Sequence, residues 1–324
     1  MIPPRWPALA AAALLTLGRA PIAAAPQAPS SVDSVALLGD LAALSADSME
    51  GRAPGTEGSR RARDLLVRRL SEAGAEPLRT SYRHPFEWEG GSGENLVGIV
   101  PGALEDSFIV LTAHYDHVGV RDGETYNGAD DNASGVAAVL EATRRAREVG
   151  MRHTLVVALL DAEEAGLRGA RAFVADPPVP LAGVVLNVNL DMVARTDGVL
   201  WAAGASHTPA LRPVLESVAA DAPTTLRLGH DRPGAPEGDD WSNASDHGPF
   251  LEAGVPFVYF GVEDHADYHR PTDDFERVDP GEYVDAVRTI LAALRALDAA
   301  LPVGAPREGG AASVEPSKSR IPAR

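Results

Sequence analysis

Residues 155–160 read Leu-Val-Val-Ala-Leu-Leu and run without interruption into Asp161-Ala162-Glu163-Glu164, with Gly166 two positions on. A continuous apolar run of this length fits a strand covered on both faces, which calls for a parallel sheet with helices on either side. Such a strand seldom ends in acid. Two adjacent carboxylates there would repel one another and be driven toward protonation unless a cation reversed the balance. Alone, the pair fits a solvated loop with two exposed acids better than a site, so the reading depends on what the other strands do.

They end the same way. Residues 108–113 (Phe-Ile-Val-Leu-Thr-Ala) lead into His114-Tyr115-Asp116-His117, and strand alternation points His114 and Asp116 to the same side. His117 reads as a histidine satisfied within the fold. Residues 184–190 form a further buried strand that stops at Asp191. Between these strands, Asn127-Gly128-Ala129-Asp130-Asp131-Asn132-Ala133-Ser134-Gly135 precedes a helix over 136–148, and by itself it fits an ordinary capped helix start. The last imidazole, His269, sits in the proline-stiffened loop Asp267-Tyr268-His269-Arg270-Pro271-Thr272-Asp273. Open α/β sheets place their sites beyond the carboxyl ends of the strands, and these ends carry ligand-type side chains in succession.

Apolar spacing further predicts helices over 32–44, 59–73, 209–220 and 280–301, and strands over 95–100, near Leu200 and over 255–260. The loop over 229–240 fits a rim or lid over the site and an ordinary surface loop equally well. No repeat or linker divides the middle of the chain, so we expect one α/β domain over 30–302, with a mostly parallel central sheet flanked by helices on both faces. Residues 1–25 carry Arg5, an apolar run over 8–17 and Ala23-Ala24-Ala25, the order of a secretory signal with a run too short to span a bilayer. The protein is therefore expected to be secreted or periplasmic, with no membrane association once the signal is removed. Residues 303–324, rich in Gly, Pro, Ala and Ser, read as a disordered tail.

The chain has no cysteine, which removes disulfides, thiolate metal sites and a cysteine nucleophile. A formal net charge of −17 argues against nucleic acid or anionic lipid as a partner. The chemistry left is that of His114, Asp130, Glu164, Asp191 and His269, two imidazoles and three carboxylates that the topology brings to one sheet edge. Nitrogen and oxygen donors without thiolate suit zinc. Two divalent cations balance three carboxylates and one hydroxide, leaving Glu163 free as a general base. Asp116 is placed to orient an imidazole.

Taken in order, His114-Tyr115-Asp116-His117, the 128–135 segment, Glu163-Glu164-Ala165-Gly166-Leu167-Arg168-Gly169, Asn189-Leu190-Asp191-Met192, Ser245-Asp246-His247 and Tyr268-His269-Arg270-Pro271-Thr272-Asp273 resemble the motifs of the secreted two-zinc aminopeptidase family. The likeness covers about residues 34–299 and includes Glu50-Gly51-Arg52 and Gly55-Thr56. It implies a phosphorylase/hydrolase-like zinc exopeptidase architecture, two Zn2+ ions and a peptide substrate with a free N-terminus. It further implies that Asp130 bridges the metals, that His114 and Asp191 complete one site and Glu164 and His269 the other. Glu163 is then the base, Tyr268 a hydrogen-bond donor to the oxyanion, and the Asp130–Asp131 peptide cis. Asp246 and His247 are expected to shape the substrate side without carrying a step, and Arg270 stands where the family often has threonine.

The same fold also serves carboxypeptidases and dipeptidases, glutaminyl cyclases and inactive receptor-like binding modules. A carboxypeptidase needs a cationic pocket to which no arginine can be assigned. A cyclase uses one zinc, and a receptor-like relative loses ligands or base, whereas the full set stands here.

Overall fold

The computed structural model describes residues 31–302, apart from 79, 233–235, 237 and 238. The expected signal and the expected tail both lie outside the described residues.

Side-chain caps start the first two helices. Asp33 accepts the Ala36 amide at the head of α1 (Ser34–Leu44), and Thr56 accepts that of Ser59 at the head of α2 (Glu57–Glu72). The chain continues through β1 (Glu76–Pro77), β2 (Arg83–Trp88), β3 (Gly91–Val100), β4 (Leu104–His114) and the short hairpin β5 (Gly119–Arg121) and β6 (Glu124–Tyr126). Then come α3 (Gly135–Val149), β7 (His153–Leu160), α4 (Arg168–Ala175), β8 (Val184–Leu190), β9 (Val199–Ala203), α5 (Arg212–Ala219) and β10 (Thr225–Leu228). The last elements are α6 (His247–Glu252), β11 (Phe257–Gly261) and α7 (Pro280–Ala300).

The main sheet runs β1-β3-β7-β4-β8-β11-β9-β10, with β2 also paired to β3. Its centre, β7-β4-β8-β11, is parallel, as the apolar runs require, and every residue of β7 is buried. The flanks differ: β3 is antiparallel to β7 and β9 to β11, so the sheet is mixed. One face packs on α1, α2, α3, α5 and α7 through residues such as Leu41, Leu66, Val139, Leu215 and Ile290. The other packs on α4 and α6 through Phe173 and Phe250. Edge strands carry the weakest sequence signal. In β2, Pro85 is tolerated because the strand pairs only with β3, and β10 has four residues with two pointing into solvent.

Because β4, β7, β8 and β11 run the same way, His114, the 161–164 turn, Asp191 and the loop after Gly261 emerge at one edge. No helix among the described residues is long and apolar enough to cross a membrane.

Candidate metal centre

Two groups of ligand-type side chains meet at this edge, and Asp131 belongs to both. His114, Asp131 and Asp191 form one, and His117, Asp131, Glu164 and His269 form the other. His114 Nε2 lies 3.4 Å from Asp131 Oδ1 and 3.2 Å from Asp191 Oδ1. Asp131 Oδ2 instead lies 3.0 Å from His269 Nε2, which is 3.2 Å from Glu164 Oε1. One carboxylate thus presents an oxygen to each group. His114 Nδ1 lies 3.2 Å from the backbone carbonyl of Asp116, which can only accept, so Nδ1 donates there and Nε2 is the ring atom turned toward Asp131 and Asp191.

The expected convergence holds for His114, Glu164, Asp191 and His269, but not for Asp130. Asp130 Oδ1 accepts the Ala194 amide at 2.7 Å and the Ser134 hydroxyl at 3.0 Å, while Oδ2 faces His265 Nε2 at 3.2 Å. Its oxygens are committed elsewhere. The cis peptide likewise falls one position later than expected, at Asp131–Asn132. Asp273 pins the turn by accepting the amides of Asp130 and Asp131 at 3.0 Å each. Asn132 ties it to the end of β8, donating to the Leu190 carbonyl at 2.9 Å and accepting the Met192 amide at 3.2 Å. Gly128 has a positive φ of 55°, and a Cβ there would come within 2.5 Å of the His117 ring.

Asp116 acts on backbone more than on imidazole. Its carboxylate accepts the amides of Glu163 at 3.0 Å and Glu164 at 3.3 Å, fixing the turn that carries both acids. Ala162, Met192 and His269 hold left-handed backbone, with φ of 59°, 56° and 52°, each within two positions of a residue of the two groups. Non-glycine residues adopt it at a cost of roughly 1–2 kcal/mol, which surrounding structure must outweigh. Tyr268 stacks on His269 with ring centroids 4.0 Å apart. Sequence reading missed Tyr259, whose buried hydroxyl donates to the Asp191 carbonyl at 3.3 Å. Asp246 is buried, with neither carboxylate oxygen hydrogen-bonded among the described residues. His247 lies near Phe257 and Tyr259 with its Nε2 2.7 Å from the Trp241 carbonyl, and Arg270 is exposed.

His117 is also placed differently from its sequence reading. It is fully buried, yet neither ring nitrogen has a hydrogen-bond partner among the described residues. Its signal was the doubled histidine of His114-Tyr115-Asp116-His117, which spacing alone does not resolve.

A family model described as Peptidase family M28 matches residues 95–294, a span containing every side chain of both groups. The chain belongs to peptidase family M28. It is 29% identical over 254 residues to leupeptin-inactivating enzyme 1 of Streptomyces exfoliatus, covering 76% of this chain and 52% of that protein. It is 31% identical over 196 residues to aminopeptidase YwaD of Bacillus subtilis, covering 57% and 40%. This M28 chain thus spans about half the length of the curated relatives it matches. Among solved structures, it is similar to a glutaminyl cyclase of Porphyromonas gingivalis, with a TM-score of 0.68, 20% identity and coverage of 81% and 98%. A leucine aminopeptidase precursor of Bacteroides thetaiotaomicron gives 0.67, 19%, and 83% and 98%. These two likenesses show the fold alone.

Burial and crowding of acids and imidazoles shift the titration of several groups at this M28 centre. Against the upward push of burial, His117 and His269 hold the Glu164 carboxyl well below its ordinary value. The close carboxylates of Asp131 and Glu164 carry His269 up to about 10, so without metal the imidazole keeps a proton that a bound cation would displace. Burial pushes Glu163 well above the usual carboxyl range, partly offset by His114. Asp246 rises to about 7, chiefly through burial.

Arg52, outside the span of the M28 match, is fully buried beneath this edge. It donates to the carbonyls of Tyr115 at 2.8 Å, Leu44 at 2.7 Å, Asn127 at 2.6 Å and Gly128 at 3.0 Å. It thereby joins the His114–His117 loop to the turn carrying Asp131. Burial lowers its pKa to about 10, which leaves it cationic at neutral pH. Arg52→Met leaves these carbonyls unpaired and is expected to lower unfolding stability by roughly 3–5 kcal/mol. Denaturant titration of the metal-free protein measures this, with Arg52→Lys recovering part of the loss. A change below about 1 kcal/mol would mean that water replaces the guanidinium.

Proposed function

We propose that the protein is an exported aminopeptidase that removes N-terminal residues from peptides, with two zinc ions held at this centre. His114 and Asp191 would hold one ion and Glu164 and His269 the other, with Asp131 offering an oxygen to each. The observation that carries the reading is the division of the Asp131 carboxylate, one oxygen toward each group. The donor set fits zinc, being carboxylate and imidazole without thiolate. Glu164 Oε1, buried and without a hydrogen-bond partner among the described residues, is the kind of atom a cation would satisfy.

Bound there, zinc supplies Lewis acidity and lowers the pKa of water toward neutrality. The protein does the rest. Glu163, held through its amide by Asp116, takes the proton of the attacking water and passes it to the departing amine. Tyr268 stays protonated at neutral pH because burial and the nearby acids raise its pKa, so its hydroxyl is available to donate to the developing oxyanion. Glu163, Asp191 and Asp246 lie close enough to act on one another, and where ionised they favour a substrate ammonium group over a C-terminal carboxylate. Export rests on the leader-like residues 1–25.

A panel of aminoacyl amides and their N-blocked counterparts, assayed with and without a chelator, tests the reading. Free-amine substrates alone should be cleaved, with activity lost on chelation and restored by zinc. Cleavage of N-blocked peptides from the carboxyl end would replace this reading with a carboxypeptidase. Cyclisation of N-terminal glutamine without hydrolysis would replace it with a glutaminyl cyclase.

A further inference from the structure

We infer that His117 is a fourth protein donor to the ion at Glu164 and His269, so that the two metal positions are unequal: one closed by four side chains, the other left open with three. This rests on the two-metal reading above and extends it to a residue that reading does not need.

His117 Nδ1 lies 2.8 Å from Glu164 Oε1, a distance at which a hydrogen bond would form if the ring pointed at the oxygen. The angles are wrong for one, and neither atom has a well-aligned hydrogen bond among the described residues. With Asp131 and His269 they form one group whose ligand-type atoms all lie within 4.8 Å of one another. His117 Nδ1 is also 3.6 Å from Asp131 Oδ2, and His269 Nε2 lies 3.0 Å from that oxygen and 3.2 Å from Glu164 Oε1. Zinc–ligand bonds of about 2.0–2.1 Å in a tetrahedron put the ligand atoms about 3.3–3.4 Å apart. The observed separations, 2.8–3.6 Å, bracket that edge.

A buried histidine used only for packing would be expected to hydrogen-bond at least one ring nitrogen, since an unpaired polar atom inside a protein is costly. His117 bonds neither among the described residues. The ring is also held in place, packed on Gly128 and set edge-on to His269 at 5.6 Å. Four protein donors make a filled zinc shell, whereas three leave the position that a catalytic ion needs. With zinc bound, the open position would fall on the His114–Asp191 side, and His117 would make the other ion the more tightly held.

Metal titration with a competing chelator, with zinc content read by elemental analysis, tests this on the full chain. The wild type should load two ions in separate steps, and His117→Ala should weaken the tighter step by about 100-fold while leaving the weaker one in place. The circular dichroism of the metal-free variant should match the wild type. Two ions bound by His117→Ala with wild-type affinities would overturn the inference. A crystal structure of the zinc-loaded wild type decides it without any variant: His117 Nδ1 should lie about 2.0–2.1 Å from the ion. A ring turned away from the metal overturns the inference and leaves the two-metal reading standing, whereas a wild type that takes up no zinc removes both.

Discussion

Asp131→Asn is expected to abolish paired metal binding and, with it, nearly all peptidase activity, a loss of about 10⁴-fold or more in kcat/KM. The substitution keeps size and shape but exchanges one oxygen for an amide nitrogen that cannot serve as a ligand. Asp131 is the residue whose two oxygens face separate groups, so losing either one uncouples the pair. The neighbouring substitution is the control. Asp130 accepts the Ala194 amide and the Ser134 hydroxyl on one oxygen, and an asparagine side chain at that position can keep both bonds through its carbonyl. Asp130→Asn should therefore bind two zinc ions and retain activity within about tenfold, with a modest loss of stability. Zinc content and kcat/KM measured on both variants give the answer. If Asp130→Asn lost the metals and Asp131→Asn kept them, the assignment of the shared carboxylate would be reversed.

That contrast shows where sequence reasoning reaches its limit. Strands announce which way their side chains face, because alternation is fixed by the pleat, and so His114 and Asp191 could be placed at a sheet edge from spacing alone. The buried run of β7 likewise located Glu163 and Glu164. Asp130 and Asp131 lie in neither a strand nor a regular helix, and the direction of each carboxylate is set by partners far away in sequence. Asp273 grips the turn from 142 positions downstream, and Ala194 claims Asp130 from 64 positions away. No periodicity encodes such contacts.

His117 escaped for a related reason. A histidine after a strand is ambiguous until its ring nitrogens can be checked for partners, and only the fold shows that they have none among the described residues. Arg52 was legible as part of a turn-rich motif but not as the cation that joins two site loops through backbone carbonyls. The flanks of the sheet were hard to read because edge strands need satisfy only one neighbour. Their patterns therefore tolerate Pro85 in β2 and a four-residue β10.

Glu163→Gln should reduce kcat by about 10²–10⁴-fold while leaving zinc content unchanged and KM within a small factor. Glutamine preserves the backbone amide that donates to Asp116, so the turn presenting Glu164 stays in place and metal binding is undisturbed. What disappears is the acceptor for the water's proton. The pH dependence separates this role from a structural one. Burial pushes the Glu163 carboxyl above its ordinary range, and a base must be ionised to act. Wild-type kcat/KM should therefore fall as pH drops through that raised pKa and rise above it, whereas the residual activity of the glutamine variant should lack this acidic limb. Asp246 and Asp191 help to raise the pKa, so Asp246→Asn should move the limb toward lower pH. An unaltered acidic limb in Glu163→Gln, or a variant as active as wild type, would transfer the proton to another group and leave Glu163 as an acid that only lines the cleft.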